Sequence, residues 1–95
     1  MGIVSIYCKS SRDLFLKESK DIDRAFNSDK FQLEINRHSN KLLQELWNIY
    51  GKNDFEFKVE EVLKFKDTDN MEEKLENLSL LMDKYLNKNI DSKKL

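Results

Sequence analysis

Few side chains in this chain are suited to chemistry. Its single His, His38, stands two residues before Asn40 and six before Gln44, and its single Cys is Cys8. One His and one Cys do not make a four-ligand zinc site without several carboxylates, and one Cys makes no internal disulfide. Cys8 falls in an apolar run and reads as a small buried residue. His38 and Asn40 stand where helix caps stand, just ahead of an amphipathic segment. The remaining candidates for anion binding, proton transfer or metal ligation are Lys17, Arg24, Asp83, Tyr7 and Tyr85.

The elements that must position these groups can be read from periodicity. Gly2-Ile3-Val4-Ser5-Ile6-Tyr7-Cys8 is β-branched and aromatic, and Leu14-Phe15-Leu16 resumes an apolar run after a polar turn at residues 10–13. Residues 3–18 therefore predict a hairpin. Ser19 or Asp21 can cap a short helix carrying Ile22 and Phe26 at i and i+4. Between Asn27 and Arg37, Phe31, Leu33 and Ile35 alternate, which fits either a continued helix or an extended connection.

From Ser39 to Tyr50 the pattern is helical, with Leu42, Leu43, Leu46, Trp47 and Tyr50 on one face and Gly51 as a left-handed stop. Phe55, Phe57 and Val59 then alternate with charged residues, giving a half-buried strand. Its parity slips at Glu60-Glu61, as a bulge would produce, before Val62, Leu63 and Phe65. Asp69, three residues before Glu72, signals the start of a last helix whose stripe is Met71, Leu75, Leu78, Met82 and Tyr85. Residues beyond about Asn89 are polar and predict fraying.

Ninety-five residues enclose one modest core, so a single domain over 1–95 is expected, with its core at about 2–88. Six Phe, three Tyr and one Trp argue against disorder. With 17 basic and 18 acidic residues the net charge is −1, so the cationic excess that drives sequence-independent nucleic-acid binding is missing. Contact with nucleic acid should be local or weak. No apolar stretch approaches membrane-spanning length and no signal pattern opens the chain, which predicts a cytoplasmic protein without a membrane partner.

The run His38-Ser39-Asn40-Lys41-Leu42-Leu43-Gln44, then Trp47-Asn48-Ile49-Tyr50-Gly51, then Phe55-Glu56-Phe57, resembles the middle of the GIY-YIG endonuclease family. There a His-x-Asn-x-x-Leu-Gln segment leads through an amphipathic helix to Trp-Asn-x-Tyr-Gly and an aromatic strand. The resemblance covers roughly residues 2–88. It implies an α/β fold: a small three-stranded antiparallel or mixed sheet flanked by about three helices in the order ββααβα.

The resemblance also implies a site made of two Tyr, an Arg and a metal-holding Glu. Val4 stands at the first Tyr, Phe15 at the second with Lys17 at a motif Gly, and Met82 at the Glu, while Arg24 matches the Arg. A thioether does not replace a carboxylate for Mg²⁺, which takes oxygen ligands. Asp83 is one residue, about 100° of helix, away. The implied protein is a module that has lost hydrolysis, needs no cofactor and acts by binding through Lys17, Arg24, His38, Asn40 and Gln44. Its partner would be a protein or nucleoprotein complex, in keeping with the small phage and mobile-element relatives that would interfere with a nuclease or defence complex in a host cytoplasm. The competing expectation is a Mg-dependent DNA endonuclease with a rebuilt site using Arg24, His38, Tyr85 and Asp83. A third, an oligomerising protein, rests on the exposed edges of so small a sheet.

Overall fold

The computed structural model describes residues 1–63, 70–89 and 91–95. The hairpin is present as β1 (Gly2–Cys8) and β2 (Leu14–Ser19), followed by α1 (Ile22–Glu34), α2 (Lys41–Tyr50), a 3-10 turn at Lys52–Asp54, β3 (Phe55–Val62), α3 (Met71–Lys88) and β4 (Lys93–Lys94). The sheet runs β3-β1-β2-β4, with β1 antiparallel to both neighbours and β4 parallel to β2. It is thus mixed and has four strands among the described residues rather than three.

The added strand comes from the polar tail for which fraying is predicted. Lys93 donates to the Asp13 carboxylate at 2.8 Å, and the Leu95 N–H donates to the Leu16 carbonyl at 2.8 Å. An ion pair and a backbone bond hold what composition alone leaves loose. The expected bulge in β3 is present: Ile3 faces Glu61 and Val4 faces Val59, leaving Glu60 as the extra residue. Gly2 lies beside it, so close to β3 that a Cβ there would collide with the Glu61 carbonyl oxygen.

Alternation along the strands divides the core between two faces of the sheet. Ile6, Cys8, Phe15 and Phe55 pack with Leu33 of α1 and with Leu43 and Leu46 of α2. Ile3 and Leu16, on the other face, pack with Leu78 and Met82 of α3. Each wholly buried Leu, Ile or Phe of these clusters contributes about 1.5–3 kcal/mol over leaving it exposed.

Helix starts and stops follow local chemistry. Asp21, rather than Ser19, caps α1 by accepting the Arg24 N–H at 3.1 Å. The helix is not short: it continues through the ambiguous stretch and stops at Asn36, which has a φ of 59°. The Asn36 N–H returns to the Leu33 carbonyl and the Arg37 N–H to the Gln32 carbonyl, a paired closure that satisfies two orphan carbonyls. Asn40 caps α2 through the Leu43 N–H at 3.0 Å. Gly51 ends it at φ 81°, ψ 165°, not left-handed helical but in a region that essentially only Gly adopts. Asn70 caps α3 through the Glu73 N–H at 2.8 Å. Asp69 and Phe65 lie outside the described residues. Among those described, no helix is long and apolar enough to cross a membrane.

Candidate functional site

The face that α1 turns toward the sheet carries Ala25, Asp29 and Leu33, all buried at a spacing of four. Asp29 is therefore a carboxylate in an apolar stripe, and a buried charge needs partners. It has two. Lys17 on β2 reaches both carboxylate oxygens at 3.3 Å, and His38 Nε2 lies 3.0 Å from Oδ1.

The other imidazole nitrogen fixes the tautomer. Nδ1 accepts the Asn40 backbone N–H at 3.0 Å, so the proton sits on Nε2 and is donated to Asp29. Neither ring nitrogen keeps a free lone pair for use as a base. His38 is held from its backbone as well, its N–H donating to Gln44 Oε1 at 2.9 Å. The amide of buried Gln44 donates onward to the Leu33 carbonyl and to Asn48 Oδ1, both at 3.1 Å, while Asn48 donates to Asn36 at 2.9 Å. One hydrogen-bonded chain thus joins β2, the end of α1, the connecting loop and α2.

A cavity of about 280 Å³ opens beside the trio, walled also by Gln32, Ser39, Asn40 and Leu95. Lys17, with 31% of its side chain exposed against 4% for Asp29, is the member that reaches solvent. Its ammonium has three donors, so the cavity can hold an acceptor oxygen beside Lys17.

Of the residues singled out in the sequence, Lys17, His38, Asn40 and Gln44 come together here. Arg24 does not. It is exposed, and the helix turns its neighbour Ala25 inward instead. Arg24 lines a separate shallow depression with Lys20, Asp21 and Ser28, which touches the first only through Lys17. Tyr85 is farther off, its hydroxyl 3.4 Å from the Glu61 carboxylate and 3.5 Å from the Glu60 carbonyl. Burial, then the Glu61 and Glu60 charges, push its phenol above the usual 10.0. Tyr85 is thus a neutral phenol that resists giving up its proton. Tyr7 leaves β1 on the face opposite Val4 and is half-buried.

Val4 and Phe15 are wholly buried on the α1 and α2 side. Met82 packs with Ile3 and Leu16, whose side chains leave the strands on the opposite face. Asp83 is exposed. Among the described residues, no three His, Cys, Asp or Glu side chains are grouped so as to hold a metal ion. Where the resemblance implies a metal-holding Glu, Met82 offers a buried thioether, which does not suit a cation that takes oxygen ligands. Sequence reasoning missed Asp29, although an acid among Ile22, Ala25 and Leu33 at helical spacing is the signal of a buried, partnered carboxylate.

In its fold, the chain is similar to the catalytic domain of homing endonuclease I-TevI, with a TM-score of 0.69 and 24% identity over 99% of this chain and 96% of that one. It is also similar to a glutamate-to-alanine mutant of the catalytic domain of intron endonuclease I-TevI, with a TM-score of 0.67 and 24% identity over 97% and 89%. The fold is GIY-YIG-like. No protein-family model matches the chain, and no curated protein does.

Proposed function

We propose that this protein is a binding module on a nuclease-like scaffold and does not cleave phosphodiesters. The observation that carries the reading is that Val4, Phe15 and Met82, at the positions where the family resemblance implies two Tyr and a metal-holding Glu, are buried apolar side chains that supply neither a hydroxyl nor a cation ligand. The chemistry of His38 agrees with it, since Nε2–H donates to Asp29 and Nδ1 accepts the Asn40 N–H, leaving the imidazole no free lone pair to act as a base.

What the module offers a partner is polar recognition through Lys17 and Asn40 at one cavity and Arg24 at the next. The partner is a protein or nucleoprotein complex, and the setting is a phage or mobile element acting on a nuclease or defence complex in a host cytoplasm. Incubating the purified protein with supercoiled plasmid and Mg²⁺ or Mn²⁺ is expected to give no nicking. Nicking that Arg24→Ala removes would replace this reading with that of an endonuclease. Binding is tested by capture from the native host followed by an affinity measurement; failure to bind any protein or nucleic acid would end the proposal.

A further inference from the structure

β3 is an edge strand among the described residues, and nearby hydrogen bonds fix which of its backbone groups are free. The Cys8 N–H donates to the Asp13 carbonyl on the β2 side at 2.9 Å, and the next N–H, that of Lys9, donates to the Asp54 carbonyl at 2.9 Å on the β3 side. In an antiparallel ladder these directions alternate residue by residue. Glu56 and Lys58, opposite Tyr7 and Ser5, therefore bond toward β1. Phe55, Phe57 and Val59, opposite Cys8, Ile6 and Val4, turn their backbone groups away from β1, the Phe55 N–H being spent on the Lys52 carbonyl of the preceding turn. Phe57 and exposed Val59, with the Phe55 carbonyl, thus present an unspent ladder.

We propose that this edge joins a second copy of the chain, antiparallel about a two-fold axis at Phe57. The charges select that register from the three that use the same outward groups. With Phe57 opposite Phe57 of the second copy, Glu56 faces Lys58 twice, and Phe55 covers Val59 twice. Sliding one way sets Lys58 against Lys58 and Glu56 against Glu60; sliding the other sets Glu56 against Glu56. Like charges directly opposite are destabilising, so one alignment survives. Each chain's Lys9, 3.6 Å from Glu56, adds positive charge beside the same pairs. The result is a continuous sheet through both copies. This inference does not depend on whether the protein hydrolyses anything.

The test is sedimentation equilibrium of the whole protein over a range of concentrations. Wild type is expected to pass from monomer to dimer. Lys58→Glu places two acids opposite each other on both sides of the axis and should raise the dissociation constant about tenfold or more. Combining it with Glu56→Lys restores complementarity and should restore wild-type association. Val59→Pro removes an outward N–H without touching a bond to β1, and should also weaken the dimer. Both charge positions are exposed, so those variants fold, and thermal melting monitored by circular dichroism checks it. A monomer at every concentration, association that Lys58→Glu leaves unchanged, or failure of the double variant to recover would each overturn the proposal.

Discussion

Asp29 and His38 meet at 3.0 Å with 4% of each side chain exposed, and the contact ties the middle of α1 to the loop before α2. It holds a carboxylate inside an apolar stripe by giving it a neutral donor on one side and the Lys17 ammonium on the other. Asp29→Ala leaves the His38 Nε2–H without an acceptor and removes the counter-charge of Lys17. The expected loss is about 3 kcal/mol in urea unfolding, with Asp29→Asn losing less because it keeps one acceptor. A loss within about 0.5 kcal/mol, the usual size for a surface substitution, would mean the trio does not hold the fold.

Met82→Glu restores the side chain type that the family resemblance implies, and is expected to fail twice. The carboxylate would be buried among Ile3, Leu16 and Leu78 without a partner, costing roughly 3 kcal/mol or more. Plasmid assays should still show no nicking, because Val4 and Phe15 lie on the other face. Thermal melting and the plasmid assay on the same preparation read both outcomes.

Gly51→Ala should cost about 1–3 kcal/mol, from backbone strain alone, since a Cβ there meets nothing within 4 Å. Asn, which tolerates left-handed helical geometry, should do no better, because ψ is 165° rather than near 45°. Chemical denaturation of both variants separates this from an ordinary helix stop, where Asn would recover part of the loss.

Two carboxylates predict acid sensitivity at one end of the molecule. Asp13 lies below its ordinary 3.8 chiefly because Lys93 donates to it, and Asp54 lies below the same value chiefly through the Ser10 backbone N–H. A lowered native value means that each carboxylate supports the fold above the unfolded value and that the support is lost as pH falls through the native one. Acidification below about pH 4 should therefore loosen the β1–β2 turn and β4 before the α3 face. Chemical shifts of the Ser10 amide and the Leu95 amide track the two events, and Lys93→Ala should abolish the acid dependence at Leu95 while leaving that at Ser10.

How far the sequence discloses the molecule depends on whether a signal is local. The β3 bulge was legible because a parity slip at Glu60-Glu61 has one geometric meaning, and the start of α2 because Asn40 precedes a helical stripe. The stripe itself is narrower than its pattern, leaving Leu42 and Tyr50 exposed and burying Gln44, whose partners on α1 and in the loop are eleven and six residues away. The end of α1 was not legible, since Phe31, Leu33 and Ile35 alternate and two of the three are exposed. For Arg24 and Asp29 two signals point different ways: a motif match favours Arg24, whereas the helical register buries Ala25 and Asp29. β4 depends on Asp13, eighty residues before Lys93, and no window along the chain contains both.

The position of β1 between β2 and β3 governs the order in which the polypeptide can assemble as it leaves the ribosome. The hairpin closes early, but half of its central strand stays bare until residue 62 has emerged, and Asp54 must arrive before the turn at Ser10 gains its clasp. A nascent chain halted short of that residue leaves open the edge of β1, which β3 covers in the finished sheet. Synthesis is thus most exposed to mispairing just before β3 appears.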